Sequence, residues 1–280
     1  MIKSNIEYEI SGVVMTPSTW GFPAGEVGVS INDEYPDLSG TLINISASLT
    51  SSDDIMGLLM LTDSLKRTYP ESPIALILGY VPYGRQDRVC NTGESLSIKV
   101  FADLINSQDY SSVTIHDPHS DVTSAVINNC NVISQKDVFN SLFAHRFEEY
   151  ERDVIIAPDA GAFKKVLDIY NDGQFKELMT ASKVRDLKTG NITSFNFTGD
   201  VKDKHCVVID DIVDGGATFI LIGEALKEAG AKSISLCATH GIFSKGHEVI
   251  ADLYDNVYTT NSYHFNRRGL IESINYIKLI

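Results

Sequence analysis

Short apolar runs rich in β-branched residues alternate along this chain with amphipathic stretches of helical period, and that alternation restricts the fold more than any other feature. Strands are expected at 28–31, 40–45, 74–78, 112–116, 154–157, 206–209 and 233–238, and helices at 52–69, 98–107 and 216–229. Thr50, Ser51, Ser52 and Asp53 supply N-cap chemistry for the first helix, and Gly230 a stop for the last. Strands separated by helices imply βαβ units, hence mostly parallel sheets covered on both faces. A polar segment from about Asn131 to Arg152 marks the division into two α/β halves, 1–137 and 138–280.

Bulk properties exclude several classes. With 280 residues, 43% hydrophobic and 21% charged, the chain has material for two cores. The N-terminal MIKSNIEYEI lacks the apolar centre of a leader, and no apolar run is long enough for a membrane span. Cys90, Cys130, Cys206 and Cys237 are scattered without metal-ligand spacing, so reduced thiols and a cytoplasmic location are expected. The net charge of −14 argues against binding nucleic acid through a basic surface. An acidic protein that handles phosphate must instead bind Mg²⁺, gather cations locally, or offer backbone N–H groups.

The stretch VVIDDIVDGGAT, residues 207–218, combines these requirements. An apolar run leads into Asp210 and Asp211, and ligands of parallel α/β sheets lie beyond the carboxyl ends of the strands. Gly215 and Gly216 allow the backbone to curl and expose N–H groups, Asp214 and Thr218 flank the turn, and the helix that follows presents its positive end to the same point. Two carboxylates repel phosphate but accept hydrogen bonds from vicinal hydroxyls, so the pattern suits a sugar phosphate. Taken alone, Asp214 reads as an N-cap and the glycines as a tight turn; the constellation at a strand end reads as a site.

VVIDDIVDGGAT, with the Ala238-Thr239-His240 and Ser244-Lys245-Gly246 that follow, resembles the phosphoribosyl diphosphate (PRPP) motif of type I phosphoribosyltransferases, and among them the ribose-phosphate pyrophosphokinases. The resemblance extends over further segments in family order. GYVPYGRQDR, residues 79–88, resembles the family's YxxYxRQDR, which implies that Arg85, Gln86 and Arg88 bind ATP. The segment 97–105 is similar to the helix that follows it. HDPHS, residues 116–120, resembles the DLH segment, with His119 at the Mg²⁺–ATP site, Pro118 in place of leucine, and His116 a packing residue. APDAG, residues 157–161, resembles SPDxGG and implies that Asp159 helps hold a second metal or the sugar.

SKVRDLKTG, residues 182–190, resembles the flexible catalytic loop with its KxR pair, here Lys183 and Arg185; two apart in extended chain, they would point to one side. The residue-level alternative there is a solvated hairpin tip. GFPAGEV, residues 21–27, resembles a loop that completes a neighbouring subunit's adenine pocket through Phe22 and Glu26, with Ala24 departing from the usual Asp or Asn.

The resemblance implies two type I phosphoribosyltransferase-like domains, each a mostly parallel sheet flanked by helices, in a homo-oligomer (dimer or hexamer). It implies transfer of the β,γ-diphosphate of ATP, with Mg²⁺, to a ribose 5-phosphate acceptor. The phosphate loop departs from the family's D-T-(G/A)-G-T: the hydroxyl expected at 215 is absent, and Ala217 replaces glycine. Ribose 5-phosphate is the first acceptor, ADP-ribose the second, because an esterified 5-phosphate needs less charge and more room. An inactive synthetase-associated subunit is a third reading, disfavoured by the presence of Lys183, Arg185, His119, Asp159, Asp210 and Asp211.

Overall fold

A computed structural model describes residues 5–31, 40–185, 192–263 and 275–278, with backbone alone at 184–185, 192–193 and 275–276. The chain divides into two compact units, Met1–Ile133 and Ser134–Leu279.

The first unit contains β1 (Ile6–Ile10), β2 (Val13–Met15), β3 (Ser18–Gly21), β4 (Val27–Ser30), β5 (Ile43–Ala47), α1 (Ser52–Thr68), β6 (Ile74–Leu78), α2 (Ser97–Asn106), β7 (Ser112–His116), α3 (Asp121–Val126) and β8 (Cys130–Ile133). Its six-stranded sheet runs β2-β1-β5-β6-β7-β8, parallel from β5 to β8. The β1 strand joins antiparallel, with Ile6, Tyr8 and Ile10 buried and Glu7 and Glu9 part-exposed between them. The expected strand at 28–31 is β4, which pairs antiparallel with β3 in a separate two-stranded ribbon.

In α1, the Ser51 hydroxyl accepts the Asp54 N–H at 3.1 Å, while the Asp54 carboxylate accepts the Thr50 N–H at 2.9 Å. Ile55, Leu58, Leu61 and Leu65 follow at helical spacing and are buried against the sheet's apolar residues. Truncating any one of these leucines to alanine costs about 2–5 kcal/mol.

The second unit contains α4 (Gln135–Val138), β9 (Val154–Ala157), α5 (Phe163–Tyr170), β10 (Glu177–Arg185), β11 (Ile192–Phe197), β12 (His205–Val213), α6 (Ala217–Glu228), β13 (Ser233–Gly241), α7 (Glu248–Leu253), β14 (Asn256–Thr260) and β15 (Asn275–Ile277). The sheet order is β11-β10-β9-β12-β13-β14-β15, parallel throughout except for the β10–β11 pair. All four residues of β9 are buried, as a strand covered on both faces requires. At the end of α6, Gly230 takes φ +79°, and the N–H groups of Gly230 and Ala231 return to the carbonyls of Lys227 and Leu226, satisfying the last turn. Each unit has its own core, one centred on Ile45, Leu58 and Leu76, the other on Ile156, Val208 and Leu236. Among the described residues, no helix is long and apolar enough to cross a membrane.

Candidate functional site

Four neighbouring parallel strands of the second unit, β10, β9, β12 and β13, bring their carboxyl ends to one edge. The strand expected to stop at Ile209 continues to Val213, so Asp210 and Asp211 lie within β12; Asp210 pairs with Ala238 and Ile212 with His240. Ile212 and Val213 carry the β-branched run past the carboxylates, and the Val213 carbonyl accepts the N–H groups of Ile242 (2.8 Å) and Phe243 (3.1 Å).

The Asp210 carboxylate accepts the Asp211 N–H at 2.9 Å. Burial raises the Asp210 pKa well above the usual carboxylate range, and the charges of Asp211 and Asp159 push it the same way. Asp211 is buried, with the Lys165 ammonium of α5 at 3.6 Å from its carboxylate. The pair therefore divides its roles: Asp211 is charge-balanced by a lysine, and Asp210 keeps its proton to higher pH.

Gly216, at φ +77°, is the N-cap residue of α6 and brings no side chain to it, so the N-cap position is not Asp214. A Cβ at 216 would stand 2.7 Å from Ile250 Cδ1, so glycine is required there both by backbone conformation and by packing. Gly215 lies outside the left-handed region. A Cβ at 215 would meet the stem of Lys245 at 3.6–3.9 Å, ordinary van der Waals distance. The room expected beside Gly215 is thus bordered by a lysine. Ala217 is exposed and Thr218 part-exposed at the open start of the helix.

After β9, one oxygen of Asp159 accepts the N–H groups of Gly161 (2.9 Å) and Ala162 (3.1 Å), shaping the turn into α5, and the other lies 3.6 Å from the Lys183 ammonium. Exposure leaves that ion pair worth little in stability, so its consequence is positional. Lys183 sits in β10 opposite Phe195, and the register with β11 shifts between Val184 and Arg185. The extra residue there lies on β11, since Val184 pairs with Ser194 and Arg185 with Ile192. The Arg185 side chain and residues 186–191 lie outside the described residues; 182–185 are strand rather than loop.

In the first unit, 79–88 and 117–119 leave the carboxyl ends of the adjacent strands β6 and β7. Arg85 and Gln86 are exposed. Asp87 is buried and bridges the Arg88 guanidinium at 2.8 and 3.2 Å, which holds its pKa at about 2; the imidazole of His119 adds to the lowering. The segment is therefore an anchored turn, with Asp87 aiming the exposed Arg88. His116 packs at the strand end, its Nδ1 3.1 Å from the Leu78 carbonyl, and Asp117 beside it is buried at φ +39°. Phe22 and Glu26 occupy the tip of the β3–β4 ribbon, where the Phe22 N–H donates to the Glu26 carbonyl at 2.7 Å; the half-exposed Phe22 ring meets Trp20 edge-on at 6.0 Å.

His119 and Asp159 belong to different units. Among the described residues, no three His, Cys, Asp or Glu side chains gather into a cation cage. Residue-by-residue reading missed Lys165 and assigned no role to Lys245 or Asp87. The first two meet their partners only through tertiary packing, whereas the adjacency of Asp87 and Arg88 was a local signal.

Two α/β units with charged turns at the carboxyl edges of their parallel strands define a protein of the phosphoribosyltransferase fold class. Family models agree: one described as the phosphoribosyl transferase domain matches residues 133–267, and one described as the N-terminal domain of ribose phosphate pyrophosphokinase matches residues 2–108. A ribose-phosphate pyrophosphokinase of Mycoplasmopsis pulmonis is 31% identical over 244 residues, covering 86% of this chain and 74% of the relative. Another, of Thermotoga maritima, is 30% identical over 267 residues, covering 92% and 82%. The phosphoribosylpyrophosphate synthetase structure of Mycobacterium smegmatis shares the fold, with TM-score 0.79, 24% identity, and coverage of 95% of this chain and 87% of that one. The chain belongs to the ribose-phosphate pyrophosphokinase family and is a transferase.

Proposed function

We propose that the protein transfers the β,γ-diphosphate of ATP to the anomeric hydroxyl of ribose 5-phosphate, giving PRPP and AMP. The observation that carries this reading is the arrangement along 210–218: a half-buried and a buried carboxylate, suited to vicinal hydroxyls, lead directly to a helix start whose N-cap is glycine, suited to phosphate. The N-terminal domain takes the nucleotide, through Arg85, Gln86, Arg88 and His119, with Phe22 and Glu26 serving a neighbour's site. The C-terminal domain takes the sugar phosphate.

In the reaction the anomeric oxygen bonds to the β-phosphorus, and the bond from that phosphorus to the oxygen shared with the α-phosphate breaks. AMP leaves with that oxygen, and the hydroxyl's proton is released. Positioning and charge neutralisation carry such a step. Asp210 and Asp211 orient the ring hydroxyls, while Lys183 and Arg185 stabilise the transferring phosphate oxygens. The contact between Lys183 and Asp159 supports this reading, since it leans the lysine toward the strand edge where the sugar would lie.

The carboxylates fit Mg²⁺, which takes one or two protein oxygens and keeps water and phosphate for the rest. Asp159 would hold one in the second unit, and His119 would reach Mg²⁺–ATP through water in the first; the like charge that, after burial, raises the Asp210 pKa is of the kind a cation relieves. When bound, Mg²⁺ supplies neutralisation of the ATP phosphate charge.

ADP-ribose, the second acceptor, rests on the room that Gly215 opens. The Lys245 stem along that room supports the terminal phosphate of ribose 5-phosphate instead. An acceptor screen with Mg²⁺–ATP, reading AMP formation, tests the proposal: ribose 5-phosphate should give the highest kcat/KM. ADP-ribose turned over more efficiently would replace it, and no AMP with either would point to an inactive subunit.

A further inference from the structure

We infer that Lys245 is a specificity-determining residue for the acceptor, supplying at the phosphate loop the donor that Gly215 lacks. This rests on the reading of ribose 5-phosphate as the acceptor, and it assigns the recognition of the 5-phosphate to a residue outside the loop.

The geometry begins at Val213. Its carbonyl accepts the N–H groups of both Ile242 and Phe243, which fastens the end of β13 to the base of the 214–216 loop. The chain then turns sharply: Phe243 takes φ +50°, and the Gly246 N–H closes the turn onto the Phe243 carbonyl at 3.0 Å. Lys245 sits in that turn. Its Cγ, Cδ and Cε all lie within 3.9 Å of where a side chain at 215 would begin, and the ammonium is one bond further on. Ile250, on α7, packs against Gly216 from the same side. Loop, turn and α7 thus meet here, and Lys245, although exposed, lays its stem along the loop.

The charge on Lys245 is not spent elsewhere among the described residues. The nearest carboxylate in sequence, Glu248, accepts the His247 N–H at 2.9 Å and faces the His247 ring at 3.9 Å. In a chain of net charge −14, with Asp210, Asp211 and Asp214 just upstream, a phosphate gains more from a cation here than from a neutral hydroxyl. An ammonium on a flexible stem is a point charge with rotatable donors, suited to a terminal dianion.

The test compares Lys245→Met, which keeps the apolar stem, Lys245→Gln, which is neutral and polar, and Lys245→Arg, which keeps the charge. Steady-state kinetics with saturating Mg²⁺–ATP should show KM for ribose 5-phosphate raised about tenfold or more in the Met and Gln variants, with kcat largely retained and Arg largely restoring KM. Calorimetric titration of ribose 5-phosphate into the nucleotide-free protein should weaken in parallel and lose part of its salt dependence. An unchanged KM in Lys245→Met, while the wild type uses ribose 5-phosphate, overturns the role of the lysine and leaves the acceptor reading intact. An Arg variant as impaired as Met shows that packing, not charge, is involved and also overturns it. A wild type that forms no AMP with ribose 5-phosphate removes the acceptor reading, and this inference with it.

Discussion

Restoring a hydroxyl to the phosphate loop, through Gly215→Thr, tests how the loop chooses its acceptor. The backbone at 215 is outside the left-handed region, so a β-branched residue meets no conformational penalty of the kind that Gly216, at φ +77°, would impose. The new Cβ would lie 3.6 Å from Lys245 Cδ, so the substitution is accommodated with at most a small shift of that stem. The hydroxyl adds one donor for a terminal 5-phosphate, an effect of about 1 kcal/mol. The added methyl narrows the passage that an esterified phosphate needs, an effect of similar size. Together they should move the ratio of kcat/KM for ribose 5-phosphate over ADP-ribose by about tenfold or more in favour of ribose 5-phosphate. Gly215→Ala is the control, adding the Cβ without the hydroxyl, and should change the ratio little. The assay is steady-state kinetics with both acceptors on all three proteins. A ratio unchanged in the Thr variant with activity retained, or moved equally by Ala, would refute the assignment.

Other outcomes follow from the same geometry. Lys183→Ala and Arg185→Ala should each lower kcat far more than they weaken ATP binding, as groups that act on transition-state charge do; a loss confined to KM contradicts that role. Asp210→Asn should abolish turnover yet stabilise the metal-free protein at neutral pH. The folded pKa of Asp210 is raised, so the folded state binds more protons between the unfolded value and the folded one, and stability falls as pH rises through that window. Thermal melts in chelator should therefore show the Asn variant gaining over wild type from acid toward neutral pH, and an Asn variant that loses there instead contradicts the burial argument. If Phe22 and Glu26 complete a neighbour's site, the active form is at least a dimer, and sedimentation showing a fully active monomer at assay concentration excludes it.

What the sequence made legible depended on the local signals. Buried central strands such as IALIL and VIIA, and helix ends with a cap written in, as at Ser51 before α1 and Gly230 after α6, stand out because their chemistry is contiguous. The IEYEI of β1 and the ELMTASKVR of β10 are harder to see, since polar residues alternate or cluster on exposed positions. Asp210 and Asp211 read as the end of a strand because paired carboxylates are rare inside one; only the Ile212-Val213 that follows signals otherwise. The strand ends that carry the candidate residues were legible in the sequence, but the ionic contacts around them were not. Lys165 reaches Asp211, and Lys245 reaches Gly215, through packing between segments far apart in the chain.

The central claim is that the attacked atom is the β-phosphorus of ATP. Phosphorus NMR of a reaction containing the protein, Mg²⁺–ATP and ribose 5-phosphate follows that bond directly. The account predicts that AMP appears in equal amount with a diphosphate ester on the anomeric carbon, with the 5-phosphate resonance retained. Formation of ADP together with a singly phosphorylated sugar would mean attack at the γ-phosphorus, and would contradict it.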